Sequence, residues 1–237
     1  MAIGGWRLLS SSASNARAVV AVDFTLAKVR AQANFGDLAT HLPAAVTLWA
    51  SDETGWPAEP GDPRAHLAAW RSRAAALGNF HAALGFCAGG ALAGALAPAG
   101  ARLVLFDPVL VSARTIVEHY ADAVRRTGAE PDPVPDGDAD ADDLAARYAV
   151  VARKFLAGQG IPDAIVDQLC GRVAVNLRYL AMSRAAGLEG LRPDRLVVSR
   201  DHEVPAPLAD VPCVRLDVSQ DELLATPAAA DAVVSGS

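Results

Sequence analysis

A strand that turns sharply into a helix around a cysteine is the feature that most constrains this chain. Apolar or small residues precede Cys87, small helix-forming residues follow from Ala91, and glycines stand two positions on either side, at Gly85 and Gly89. Glycine lets backbone segments pass close together in a strained turn of this kind. The pattern predicts a cysteine that projects from the end of a buried strand as a nucleophile. The alternative is that Cys87 is a small buried apolar residue, as free cysteines often are.

Short runs rich in valine and leucine alternate with helical patterns, which predicts the α/β class, with a mostly parallel sheet flanked by helices. The predicted strands are 18–24, 45–50, 82–86, 103–107, 196–200 and 213–218, with a weaker opening strand at 6–10. The predicted helices that flank them are 35–42, 64–77, 88–97 and 221–233.

The strand pattern stops between Pro108 and Asp194, where helical patterns take its place. These predicted helices are 113–126, 144–157, 162–169 and 172–186. We therefore predict a helical insertion over 109–193 in a core formed by 1–108 and 194–237. Within the insertion, the segment 130–143 is rich in aspartate and proline and cannot bury enough apolar surface to fold. We expect either a solvated loop there or a gate over a cavity.

Composition and cysteine spacing limit the kinds of partner and the cellular compartment that we expect for this chain. The chain has 27 acidic and 21 basic residues and no Lys/Arg-rich run, which argues against nucleic acid as a partner. Its three cysteines lack C-x-x-C spacing, so neither a disulfide framework nor a metal site is expected. Residues 1–14 do not resemble a signal peptide, and no apolar run approaches the roughly 18 residues that span a bilayer. We expect a cytoplasmic protein that does not bind membranes.

With these elements placed, the chain resembles the thioesterase family of the α/β-hydrolase fold, the enzymes that release products from polyketide and nonribosomal peptide assembly lines. Residues 35–43 look like the first helix of that family, which follows the oxyanion strand. Residues 103–108 look like the strand that carries its catalytic acid. In the family, helices inserted after that strand form a lid, and the likeness covers nearly the whole chain.

In this family a serine or cysteine attacks an acyl thioester on a phosphopantetheine arm, a histidine accepts the proton and an aspartate orients the histidine. The resemblance implies Cys87 as the nucleophile and Asp107 as the acid, with a helix cap or turn residue as the alternative for Asp107. It implies no cofactor of the protein's own, because an acyl or peptidyl carrier protein brings the phosphopantetheine. Gln220 stands where the family has its histidine, and glutamine cannot act as a general base.

His202 is the candidate for the missing base. It follows the penultimate predicted strand, at the edge of the sheet where Cys87 also lies. The acidic neighbours Asp201 and Glu203 are expected to raise the pKa of its imidazole, which suits an ion pair with a thiolate. The alternative is an exposed loop histidine without a role.

The remaining expectations concern the oxyanion and the acyl chain. The backbone N–H of Ala88 is one expected oxyanion donor, and the start of the helix there is expected to lower the thiol pKa. The second donor is expected from Leu26 or Ala27, although the family usually has proline and glycines in this loop. The insertion offers side chains that either line the acyl cavity or simply pack between helices, and those chosen are His119, Tyr120 and Tyr179.

A thiol nucleophile exchanges one thioester for another, so loading needs little base assistance. The resemblance includes Dieckmann cyclases that carry a cysteine in this turn. We therefore expect an enzyme of natural-product and antibiotic biosynthesis that takes an acyl thioester onto Cys87 and releases it by Dieckmann- or lactone-type cyclisation or by acyl transfer. One alternative is a small ester or lactone hydrolase similar to dienelactone hydrolases, which lack a large helical insertion. The other is a degenerate hydrolase fold that binds a carrier protein or ligand without turnover.

Overall fold

The structure is a computed structural model that describes residues 2–11, 17–24, 33–52, 57–134 and 140–235. Within these residues, eight strands form one sheet in the order β1-β2-β4-β3-β5-β6-β7-β8. The strands are β1 Ala2–Ile3, β2 Trp6–Ser10, β3 Arg17–Val22, β4 Val46–Ser51, β5 Ala82–Phe86, β6 Arg102–Phe106, β7 Arg195–Val198 and β8 Cys213–Arg215. The pairings of β2 with β1 and with β4 are antiparallel, and all others are parallel. The predicted fold class is confirmed.

The described α-helices are α1 Phe35–Ala39, α2 Pro63–Ala75, α3 Gly89–Leu96, α4 Ala113–Arg126, α5 Ala141–Ala157, α6 Asp163–Ala186 and α7 Pro227–Val234. The two largest differences from the predicted helices concern α6 and α7. The helices expected at 162–169 and 172–186 form the single helix α6, because Gly171 costs a helix only about 1 kcal/mol and buried side chains lie on both sides of it. The closing helix starts at Pro227 rather than 221, where Thr226 caps it by accepting from the Ala229 N–H.

Burial explains why the central strands contain so few polar residues. Every residue of β5 is buried, as are the last four residues of β3 and of β6. Strands covered on both faces read as continuous apolar runs rather than alternating ones. This arrangement places the carboxyl ends of three buried strands side by side.

Contacts within the chain divide it into two compact units. The first, Met1–Gly55, Leu67–Leu110 and Ala186–Ser237, holds the sheet with α1, α3 and α7. The second, Trp56–His66 and Val111–Ala185, holds α4, α5 and α6. A role of the helical unit as a lid stays a prediction. Within the described residues, no helix is long and apolar enough to cross a membrane.

The helical unit has a buried ion pair of its own. Arg178 of α6 is 7% exposed, and its Nε lies 2.6 Å from Oδ1 of Asp142 in α5. Arg178 also donates to the carbonyl of Ala58, and Oδ2 of Asp142 accepts from the Gly61 N–H at 2.9 Å. Helix α5 begins at Ala141, capped by Asp140, so it takes up the end of the segment predicted as a loop over 130–143. Residues 135–139 of that segment lie outside the described residues.

Candidate active site at the carboxyl edge of the sheet

Cys87 lies in the turn between β5 and α3 with a φ of 54°, in the left-handed region. Its N–H donates to the carbonyl of Phe106 at 2.9 Å, which ties the turn to the end of β6. A Cβ on Gly85 would lie 2.6 Å from the Cα of Gly90 and 2.8 Å from the carbonyl oxygen of Gly89. Glycine is therefore needed at 85 for α3 to start so close to β5, as the sequence pattern predicts.

The thiol of Cys87 is half-buried against the main apolar core of the sheet. Burial raises its pKa to about 11, and the negative charges of Asp23 and Asp107 act in the same direction. The backbone N–H of Ala88, hydrogen-bonded to the thiol, lowers the pKa by less than burial raises it. The expectation of a lowered thiol pKa at this helix start is therefore wrong, and at pH 7 only on the order of one sulfur in ten thousand is ionised.

Asp107 follows β6 with a φ of 40° and is fully buried. The N–H of Ser199 donates to its Oδ1 at 2.8 Å, and the Ser199 hydroxyl donates to its Oδ2 at 2.7 Å. The next helix, α4, is capped by Ser112. Asp107 is thus no helix cap, and its carboxylate is fixed by the residue that follows β7.

His202 lies beside this acid. Its Nδ1 is 3.8 Å from Oδ1 of Asp107, and its Nε2 is 3.0 Å from the carbonyl oxygen of Pro108. Only 11% of its side chain is exposed, so it is not an exposed loop histidine. Contact with a carbonyl requires a proton on Nε2, which leaves Nδ1 towards the Asp107 carboxylate. The structure brings His202 and Asp107 together, while a role as the base for Cys87 stays a prediction.

The other predicted site residues are placed as follows. Leu26 lies outside the described residues. His119 and Tyr120 of α4 and Tyr179 of α6 belong to the helical unit, where both tyrosines are buried and His119 is exposed with Nδ1 3.4 Å from Nδ2 of Asn176. Their contact with substrate stays a prediction. Gln220, at the position where the resemblance places a histidine, is exposed.

Two residues of this region were missed by sequence reasoning, Ser199 and Asp23. Asp23 follows β3 and is 6% exposed. Its N–H donates to Oγ of Ser51 at 3.2 Å, and the Ser51 hydroxyl donates to its carbonyl oxygen at 2.8 Å. Asp23 and Ser199 each come directly after a run of valines and other apolar residues, at the ends of β3 and β7. This shared position was the signal in the sequence that could have identified them.

Comparison with solved structures shows what this architecture is similar to. The Vlm2 thioesterase domain bound with a dodecadepsipeptide is 13% identical, with a TM-score of 0.54 over 98% of this chain and 96% of that one. The four-domain nonribosomal peptide synthetase holo-AB3403 is 14% identical, with a TM-score of 0.53 over 97% of this chain and 20% of that one. MGS-M2, an α/β hydrolase enzyme from a Medee basin deep-sea metagenome library, is 10% identical, with a TM-score of 0.51 over 98% and 92%.

No family model matches the chain, and no curated protein does. Identities this low establish a shared fold. The predicted resemblance is confirmed at that level, since thioesterase domains and α/β hydrolases are the structures found. The chain has the α/β-hydrolase fold, and it is similar in structure to the Vlm2 thioesterase domain and to a thioesterase domain from the curacin biosynthetic pathway.

Proposed function

We propose that this chain is a thioesterase-like enzyme of polyketide or nonribosomal peptide biosynthesis, which accepts an acyl group from a carrier protein onto Cys87. Release follows by cyclisation or by acyl transfer. The observation that carries the proposal is the left-handed turn at Cys87, with the buried acid Asp107 at the end of the next strand in the sheet. Similarity to a thioesterase domain that holds a dodecadepsipeptide supports the choice of substrate class.

Loading exchanges one thioester for another. The Cys87 sulfur bonds to the acyl carbon, the bond from that carbon to the pantetheine sulfur breaks, and the thiol proton passes to the departing sulfur. Both sides of this exchange contain one thiol and one thioester, so little free energy separates them. The N–H of Ala88 acts on the sulfur and lies at the start of α3, so we assign it as an oxyanion donor. Leu26 is proposed as the second.

Because the Cys87 thiol is neutral, the loading step requires a group that accepts its proton. Because burial raises its pKa to about 11, the proton has to leave the sulfur as the attack proceeds. In the proposal the ring leaves the Pro108 carbonyl and its proton moves to Nδ1, the nitrogen that lies 3.8 Å from Oδ1 of Asp107. The free Nε2 then accepts the thiol proton, and Asp107 stabilises the imidazolium. Ser199 keeps the Asp107 carboxylate in place.

Intact-protein mass spectrometry after mixing with an acylated carrier protein tests the proposal. We expect the acyl mass on the wild type and on Cys213→Ala, a control at an exposed thiol, and no acyl mass on Cys87→Ala. We expect His202→Ala to slow loading or release by about tenfold or more, and unchanged kinetics would remove His202 from the mechanism. A wild type that binds the carrier without any adduct contradicts the proposal and favours the degenerate, non-catalytic alternative.

A further inference from the structure

Arg215, the last residue of β8, connects the last strand in the order of the sheet to the candidate site. It is level with Val198, the last residue of β7, in the parallel pairing of these two strands. Its Nη1 donates to the carbonyl oxygen of Ser199 at 2.7 Å and to that of Arg200 at 2.8 Å. One cationic nitrogen therefore holds two consecutive carbonyls of the turn that follows β7.

The peptide unit between Ser199 and Arg200 is fixed at both of its polar ends. Its carbonyl oxygen accepts from Arg215, and its N–H, which belongs to Arg200, donates to the carbonyl of Val218 at 2.9 Å. The same Ser199 carbonyl accepts from the N–H of His202 at 3.3 Å, which closes the turn. Arg215 thus bonds to the oxygen that also holds the backbone of the candidate base.

This turn carries both residues that lie against the buried acid. The N–H and the hydroxyl of Ser199 donate to Asp107, and the ring of His202 lies beside the same carboxylate. The relative directions of these groups depend on how the peptide unit between them is turned, because a chain can change direction only by rotation on either side of each rigid peptide. A fixed peptide lets the imidazole turn about its own side-chain bonds while its backbone stays close to Asp107.

Resting on the function proposed above, we infer that Arg215 is a positioning residue, which keeps Ser199 and His202 aligned on Asp107 while the thiol proton is transferred. It acts through His202 and not on the reacting atoms. Strand β8, whose three residues are exposed, thereby has a role in the site, because it fixes the turn from which the base acts.

Arg200 offers a matched control in the same turn. Its guanidinium bonds to the carboxylate and to the carbonyl of Asp217, and the two side chains are 57% and 89% exposed. This pair also joins the turn to the segment after β8, but its bonds go to Asp217 and not to the Ser199 carbonyl. General loosening of the turn would slow Arg200→Gln as well, whereas release of the Ser199 peptide would slow only Arg215→Gln.

A double-mutant cycle of Arg215 with His202 tests this inference. The rate at which Cys87 is loaded from hexanoyl-pantetheine is followed by intact mass at a series of substrate concentrations. We expect Arg215→Gln to lower the maximal rate about fivefold and to leave the half-saturating concentration unchanged, since only the proton transfer is affected. In a His202→Ala background we expect the same substitution to have no effect, because the residue through which it acts is gone. An equal loss in both backgrounds would overturn the inference.

Two further variants separate the contact from a role in folding. Both bonds of Arg215 leave from one nitrogen, and the ammonium group of lysine also carries several donors on one nitrogen. We therefore expect Arg215→Lys to load within about twofold of the wild-type rate, and Arg200→Gln to load as fast as the wild type. The inference is overturned if Arg215→Lys is as slow as Arg215→Gln, if Arg200→Gln is equally slow, or if Arg215→Gln does not fold.

The ring N–H of His202 separates this inference from the proposed function. Its Nε2 proton bonds to the Pro108 carbonyl in a side chain that is 11% exposed, so we expect its NMR signal to be visible in the wild type and in Arg200→Gln. In Arg215→Gln we expect exchange with water to broaden it. A wild type that forms no acyl-Cys87 contradicts the proposed function, and the NMR signal alone then decides whether Arg215 positions the histidine. A signal unchanged in Arg215→Gln overturns the inference whether or not acyl-Cys87 forms.

Discussion

Ser199 gives both of its hydrogen-bond donors to Asp107, the N–H to Oδ1 at 2.8 Å and the hydroxyl to Oδ2 at 2.7 Å. Asp107 is fully buried, so these two bonds replace the water that the carboxylate loses on folding. They also fix the side chain of a residue whose φ of 40° is costly for any amino acid other than glycine. The orientation of the candidate acid therefore depends on the residue after β7.

Ser199→Ala removes the hydroxyl bond and keeps the N–H bond. The buried oxygen of Asp107 is left without that donor, so we expect the free energy of unfolding to fall by about 1.5 to 3 kcal/mol. Urea denaturation monitored by circular dichroism measures the loss. Ser72→Ala, at an exposed position of α2, is the control and is expected to change stability by less than about 0.5 kcal/mol. Equal losses in the two variants would contradict this account of Asp107.

The sequence predicts the fold because its strands are buried on both faces. The valine and leucine runs around Val20, Leu84 and Val104 are typical of a covered parallel sheet, and the structure has strands at each. Prediction failed where a local signal was weaker than packing. The predicted helices 162–169 and 172–186 leave Gly171 between them, yet buried residues of α6 continue from Val166 to Leu177 across it.

The turn at Cys87 could be predicted from the sequence because its backbone is unusual. Gly85 identifies the turn at Cys87, because a Cβ at this position would meet the main chain of Gly89 and Gly90. Asp23 and Ser199 have no such signal, since a polar residue after a strand is most often solvated. The thiol pKa also depends on tertiary burial, and this outweighs the local effect of the helix start that the sequence suggests.

Gly85→Ala tests the close approach of β5 and α3. The new Cβ meets backbone at Gly90 and Gly89 and the Cβ of Ala93 at 2.6 to 2.9 Å, and none of these atoms is the end of a flexible side chain. We expect a loss of about 3 kcal/mol or more in stability, or failure to accumulate as folded protein. Gly171→Ala, with no atom within 4 Å of its new Cβ, is the control and is expected to stabilise α6 by about 0.5 to 1 kcal/mol. Thermal unfolding measures the stability of both variants. A Gly85→Ala variant as stable as the wild type would show that the turn tolerates a side chain.

Substitution of Asp142 tests how much its ion pair with Arg178 stabilises the helical unit. Asp142→Asn leaves the buried guanidinium without its charged partner, so we expect a loss of about 3 to 5 kcal/mol. Asp167→Asn removes the partner of Arg153 in a pair whose side chains are each 62% exposed, and here we expect a loss of no more than about 1 kcal/mol. Guanidinium titrations of the two variants measure the difference. Similar small losses would indicate that water reaches Arg178.

The pH dependence of Cys87 alkylation tests the state of the nucleophile. The raised pKa means that the neutral thiol persists to about pH 11, and only the thiolate reacts with iodoacetamide. In a Cys170→Ser/Cys213→Ser background we expect the rate to rise about tenfold per pH unit from 7 to 10 and to level off near 11, against about 8.5 for a cysteine in an unstructured peptide. Asp23→Asn removes one of the charges that raise the pKa, so its profile is expected to lie at lower pH than that of the parent. A parent midpoint at or below 8.5 would mean that the sulfur is less desolvated than its packing against the sheet indicates.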